Sequence, residues 1–91
     1  MKHMYFIGPA GSGKTSFIHR YLKTDYEFFK DFIIESTEIV MPTDYIKVFL
    51  ILPTVEIYAT RSTTLSATDR ALWMELYLKN KDNIVLVENN E

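Results

Sequence analysis

The glycines of this chain sit in one place. All three fall at positions 8, 11 and 13, so every other turn in the 91 residues is made without one. Glycine reaches positive φ without a steric penalty, and gathering the whole supply into Gly8-Pro9-Ala10-Gly11-Ser12-Gly13 marks a loop with a special backbone need. The flanks restrict it further. Met4-Tyr5-Phe6-Ile7 is a continuous apolar run that stops at Gly8, as expected of a strand buried on both faces and interior to a sheet. From Thr15 the period changes: Phe17, Ile18, Tyr21 and Leu22 share one face and Ser16, His19, Arg20 and Lys23 the other, which makes an amphipathic helix.

The rest of the chain repeats the alternation. Phe32-Ile33-Ile34 reads as a second strand ending in polar Glu35-Ser36-Thr37, Ile46 to Leu52 as a third closed by Pro53, and Ile84 to Val87 as a fourth ending in Glu88-Asn89-Asn90. Thr54 is placed to cap a short helix bearing Val55, Tyr58 and Ala59. Ser66 is placed to cap a longer one with the stripe Leu72, Trp73, Leu76 and Tyr77, running to about Lys79. Strands that are apolar throughout and alternate with helices predict an α/β sandwich, a small parallel sheet of about four strands flanked by helices. Ligands in such a sheet are expected at the carboxyl ends of the strands. A chain of 91 residues has room for one core, so residues 1–91 are expected to form a single domain.

Extended by two residues, the loop becomes Gly8-Pro9-Ala10-Gly11-Ser12-Gly13-Lys14-Thr15, a complete match to G-x-x-x-x-G-K-[ST] with a strand before it and a helix after it. The spacing has a physical sense: glycines let successive N–H groups point inward at phosphate oxygens, and the amino end of the helix adds its partial positive charge. The segment resembles the Walker A motif of P-loop nucleotide-binding proteins. By that resemblance Gly8, Pro9, Ala10, Gly11, Ser12, Gly13, Lys14, Thr15 and Ser16 would hold the phosphates of ATP or another nucleoside triphosphate. Lys14 would reach the β and γ phosphates and Thr15 would offer its hydroxyl to Mg²⁺.

A second requirement is an acidic residue at the end of a neighbouring strand. Glu35 is the best placed, as a metal-shell and catalytic residue beside Thr15, and Glu88 at the end of the last strand competes for the role. The stretch from Val48 to Arg61 resembles a segment of thymidylate, deoxynucleoside and gluconate kinases, in which a buried strand ends near a proline and a helix carries Glu followed five residues later by Arg, here Glu56 and Arg61. The resemblance implies a reduced nucleoside or nucleotide kinase-like phosphotransferase, or an ATPase. Lys14, Arg61 and Glu35 would be its catalytic residues, Arg70 a further cation near the lid, and a small molecule the phosphoryl acceptor. Little chain remains for an acceptor region or a lid, only Lys23 to Lys30 and Arg61 to Leu65.

Two alternatives stand beside this reading. Gly13 to Leu22 also resembles the start of Ras-like small GTPases, as a degenerate member: no glycine follows position 13, so Asp-x-x-Gly is impossible, and Asn80-Lys81-Asp82-Asn83 only approaches Asn-Lys-x-Asp. The other is a non-catalytic nucleotide-binding module acting in a homo-oligomer, for which exposed aromatics among Tyr26, Phe28 and Phe29 would be the sign. A net charge of −2 and a pI near 5.6 give no reason to expect nucleic acid or an acidic membrane as partner. The longest apolar run, Val48 to Leu52, is too short to span a bilayer, and with no targeting segment and no cysteine the expected location is the cytoplasm. His3 and His19 lack companions for a metal site and are expected to be solvated, and Asp69 is expected to serve a helix start.

Overall fold

In the computed structural model, which describes residues 2–54 and 67–89, the apolar runs become four strands: β1 (His3–Ile7), β2 (Ile33–Ser36), β3 (Tyr45–Pro53) and β4 (Ile84–Asn89). All pairings are parallel and the order across the sheet is β2-β1-β3-β4. Between β1 and β2 lie α1 (Lys14–Leu22), a 3₁₀ turn (Lys23–Asp25), the single-turn α2 (Tyr26–Phe29) and a second 3₁₀ turn (Lys30–Phe32). The helix α3 (Ala67–Lys79) precedes β4.

The strands alternate their side chains between two cores. Met4 and Phe6 of β1 join Phe49 and Ile51 of β3 under Ile18 and Leu22 of α1, with Phe6 stacked on Phe49 at 4.8 Å between ring centroids. On the opposite face Ile7, Val48, Leu50, Leu52 and Ile84 pack around Trp73 of α3, which is 1% exposed. This layering follows from the strand order. The step from β1 to β2 goes one way across the sheet and the step from β3 to β4 the other, so crossovers of one hand put α1 and α3 on opposite faces. The direction changes between β1 and β3, where the carboxyl ends of a parallel sheet open a crevice.

β1 and, from Val48 onward, β3 are largely buried on both faces, as their continuous apolar runs imply, whereas Ile46 and Lys47 at the start of β3 are exposed. β2 and β4 occupy the edges, and there the same kind of run leaves Val85 39% exposed. Several elements differ from the sequence expectation, β4 among them, which runs on to Asn89. Pro53 is the last residue of β3 rather than its terminator: it sits opposite Asn89 of β4, and the N–H of the next residue, Thr54, donates to the Asn89 carbonyl at 3.1 Å. Phe32 closes a 3₁₀ turn instead of opening β2, and α2 forms where no helix was expected. Tyr26 and Phe29, on α2, pack against the α1-side core. The helix expected from Thr54 lies outside the described residues. No helix among the described residues is long and apolar enough to cross a membrane.

Candidate functional site

The glycine loop leaves the carboxyl end of β1 and turns directly into α1. Its backbone explains its composition. Gly8 has φ 154°, and a Cβ there would run into the Ile51 carbonyl of β3, so the chain leaving β1 passes against its neighbour strand at a distance no side chain allows. Gly13 is the N-cap of α1 in the left-handed region, φ 86°, and a Cβ on it would meet the Asn89 side-chain amide.

A glycine N-cap has no side chain with which to satisfy the first N–H groups of its helix. None does so here, and the first turn of α1 contains no acidic residue. The first turn instead presents Lys14, Thr15 and Ser16. The amino end of α1 therefore has the donors and positive potential of an anion site, with no anion of its own nearby in the helix. Lys14 lies back along the loop, its Nζ donating to the carbonyls of Gly8 and Pro9, each at 2.9 Å. Burial pushes its ammonium below the ordinary 10.5, and the Glu35 carboxylate partly opposes that shift. Ser12 is 1% exposed, and its buried hydroxyl finds no hydrogen-bond partner among the described residues. Pro9 is buried as well, while Ala10 and Gly11 are exposed.

The two edge strands each deliver one polar residue to this loop from the α1 face. Register decides which. Glu35 pairs with Phe6 of β1 and so points to the α1 side, where it accepts a hydrogen bond of 2.9 Å from the Thr15 hydroxyl. Asn89, 4% exposed, pairs with Pro53 across the sheet. It donates from Nδ2 to the Ser12 carbonyl at 2.8 Å and accepts at Oδ1 from Arg20 of α1 at 3.3 Å.

Glu88, one residue earlier, pairs with Leu52 of the Trp73 core and so belongs to the opposite face, away from Thr15. Thus the structure brings Lys14, Thr15 and Glu35 together and leaves Glu88 aside. Asn89 was not singled out from sequence. The available signal was the polar ending of an apolar strand, and the two-residue period assigns the loop-facing position to Asn89 rather than Glu88.

Arg70 is half-buried in α3, near the helix end that lies at the carboxyl edge of the sheet, whereas Glu56 and Arg61 lie outside the described residues. Asp69 sits in the first turn of α3, as expected. His19 is exposed but lies against Tyr26, with ring centroids 4.3 Å apart. On the α3 side of β1 and β2, a cavity of about 370 Å³ opens beneath the segment 37–44 that joins β2 to β3 without a helix, lined by Tyr5, Ile7, Ile34, Ser36, Val40 and Met41 and reaching Glu35. Comparison with protein-family models, with curated proteins and with solved structures finds no match to this chain.

Proposed function

We propose that the chain is an ATP-binding P-loop protein, a reduced kinase-like phosphotransferase or ATPase that holds the triphosphate and Mg²⁺ over Gly8 to Ser16. The observation that carries the reading is the position of Lys14. Its ammonium bridges the carbonyls of Gly8 and Pro9, at the mouth of a helix whose first N–H groups have no side-chain cap. A buried cation held across a loop beside a helix start with no side-chain cap suits a polyanion better than a packing role.

The residues fit the ligand in two further ways. The Ser12 hydroxyl is, among the described residues, an orphaned buried polar group in the loop itself, of the kind usually paired in native proteins. Thr15 Oγ1 and Glu35 Oε1 are 2.9 Å apart, and neighbouring oxygens of an octahedral Mg²⁺ shell with bonds of about 2.1 Å are separated by about 3 Å. No group of three His, Asp or Glu side chains that could hold a metal occurs among the described residues, and Mg²⁺ in nucleotide sites needs only one or two protein oxygens with phosphates and water completing the shell. When bound, Mg²⁺ would polarise the phosphoryl oxygens and neutralise charge on the transferring group. In this reading Lys14 orients and neutralises the terminal phosphates, while Thr15 and Glu35 hold the metal shell.

A pocket of about 370 Å³ that reaches Glu35 from the α3 side, open to solvent and lined by polar and apolar residues alike, offers room for a small acceptor near the loop. A second reading, a nucleotide-holding module that works in an assembly, is favoured by Phe28 of α2, which is 73% exposed. Calorimetric titration with ATP and GTP, with and without Mg²⁺, tests the first reading. Binding strengthened by Mg²⁺ and weakened at least about tenfold in Lys14→Ala is expected, and no binding of either nucleotide by the wild type would overturn it. ADP release that requires an added nucleoside, nucleotide or sugar would identify a kinase, acceptor-independent release an ATPase, and tight binding without turnover the module.

A further inference from the structure

We infer that Asn89, at the end of the edge strand β4, is a positioning residue that sets the direction of the Gly13 N–H in the phosphate loop. The inference rests on the P-loop reading of the site for its ligand, but its structural part stands on the geometry alone. The side chain is buried and its two ends are committed: Nδ2 donates to the Ser12 carbonyl at 2.8 Å, and Oδ1 accepts from Arg20 at 3.3 Å. The arrangement fixes the amide's orientation. A flipped amide would set its oxygen against the Ser12 carbonyl and its NH₂ against the Arg20 guanidinium, two repulsive contacts in place of two hydrogen bonds.

The consequence passes through one peptide plane. Ser12 and Gly13 are joined by a trans peptide, in which the carbonyl and the following N–H point in opposite directions. Holding the Ser12 carbonyl against Asn89 therefore turns the Gly13 N–H away from β4. Gly13 itself, at φ 86°, has no side chain to restrict its rotation, and a Cβ there would occupy the space the Asn89 amide fills. The absence of a side chain at 13 and the presence of an amide at 89 are thus two halves of one device. Glycine allows the left-handed N-cap, and asparagine removes the freedom that glycine brings. An anion site gains affinity from donors already aimed before the ligand arrives, because less ordering remains to be done on binding.

Because Asn89 acts through the loop backbone, it serves any polyphosphate equally and carries no information about the base. The test uses the full chain labelled with ¹⁵N, in which only three glycine amides exist to be assigned. In the ligand-free protein Asn89→Leu, which keeps the approximate shape and removes both polar ends, is expected to shift or broaden the Gly13 amide signal while amides of the β1 and β3 core stay in place. Its affinity for inorganic tripolyphosphate is expected to fall about tenfold, the effect of losing one oriented donor to a charged group, and its affinity for ATP by the same factor.

Asn89→Asp provides the readout that a merely structural role would not move. As a carboxylate it cannot donate to Ser12. When protonated it can, so tripolyphosphate affinity should recover towards wild type as the pH is lowered, against the pull of Arg20, the cation facing that position. A ligand-free Gly13 amide unchanged in both variants would overturn the inference. So would a loss of affinity confined to ATP with tripolyphosphate binding intact, which would mean that Asn89 contacts the nucleoside. Failure of wild-type protein to bind either ligand would overturn the P-loop reading instead, and the ligand-free Gly13 signal would still decide the part played by Asn89.

Discussion

Thr15 Oγ1 donates to Glu35 Oε1 across 2.9 Å, a contact between residues twenty positions apart that exists only because β2 runs parallel beside β1 and ends level with the first turn of α1. The pair is exposed, so its net contribution to folding is small, at most about 1 kcal/mol. Its value lies in leaving two hard oxygens side by side. Thr15→Val and Glu35→Gln are each expected to keep the melting temperature within a few degrees of wild type, by about 5 °C at most. Each should also reduce the strengthening of ATP binding by Mg²⁺ about tenfold, the loss of one metal-shell oxygen or of its charge. Titrations with and without Mg²⁺ measure the difference directly. An undiminished Mg²⁺ effect in both variants would remove Thr15 and Glu35 from the metal shell.

Glu88 provides the matched contrast. It too is a glutamate at a strand end on an edge of the sheet, but its register partner Leu52 places it on the α3 face. Glu88→Gln is expected to leave ATP affinity and its Mg²⁺ dependence within about twofold of wild type, the range of an exposed substitution away from a site. If Glu88→Gln and not Glu35→Gln abolished the Mg²⁺ effect, the assignment of faces at the site would be reversed.

The contrast also shows what could be read from the sequence. The four strands, α1, α3 and the loop between β1 and α1 were legible because apolar runs and helical stripes record burial directly. Glu35 was legible because β2 is so short that its polar ending is unambiguous. Asn89 was not. Four polar residues follow Val87, and only the pairing of β4 with β3 states where the strand stops and which of them faces α1. The single-turn α2 escaped for a different reason. Residues 23–32 have no period, and Tyr26 and Phe29 reach the core through 3₁₀ turns on either side. The positive φ that ends α1 falls on Lys23, at 52°, where glycine would have announced it.

Lys14 links the site to stability through pH. Burial holds its ammonium below the ordinary 10.5, the nearby Glu35 carboxylate opposing part of the shift. Between the lowered value and 10.5 the unfolded chain binds a proton that the native chain does not, so this group makes stability rise with pH across that window. Below the window both states are protonated and the contribution is constant. The wild-type unfolding free energy minus that of Lys14→Met should therefore be flat at neutral pH and climb as pH approaches 10.5. Urea denaturation of both proteins at a series of pH values gives the curve. A difference that stays level up to 10.5 would mean that Lys14 sits in a solvated position, not in the buried bridge between Gly8 and Pro9.

The loop's cost to the fold is set by Gly8 more than by its tip. A Cβ at Gly8 would meet the Ile51 carbonyl, which belongs to the central strand β3, while a Cβ at Gly11 would face open space. Both positions have positive φ, 154° and 80°. At Gly11 the penalty for alanine is the backbone strain alone, about 1–2 kcal/mol. At Gly8 strain is joined by a clash that cannot be relieved by rotating a side chain, because the obstructing atom is backbone of β3, which is paired with β1 through Leu50 and with β4 through Ile51 itself, opposite Val87. Relief requires parting β1 from β3 at the point where the sheet is most completely buried. The expected loss for Gly8→Ala is about 3 kcal/mol or more, which at roughly 4–8 °C per kcal/mol for a domain of this size is at least about 12 °C in melting temperature. Gly11→Ala should lose about two thirds of that or less. Thermal unfolding followed by the fluorescence of Trp73, buried in the opposite core, reads both. Equal losses for the two variants would show that the chain leaving β1 does not pass against β3 as described.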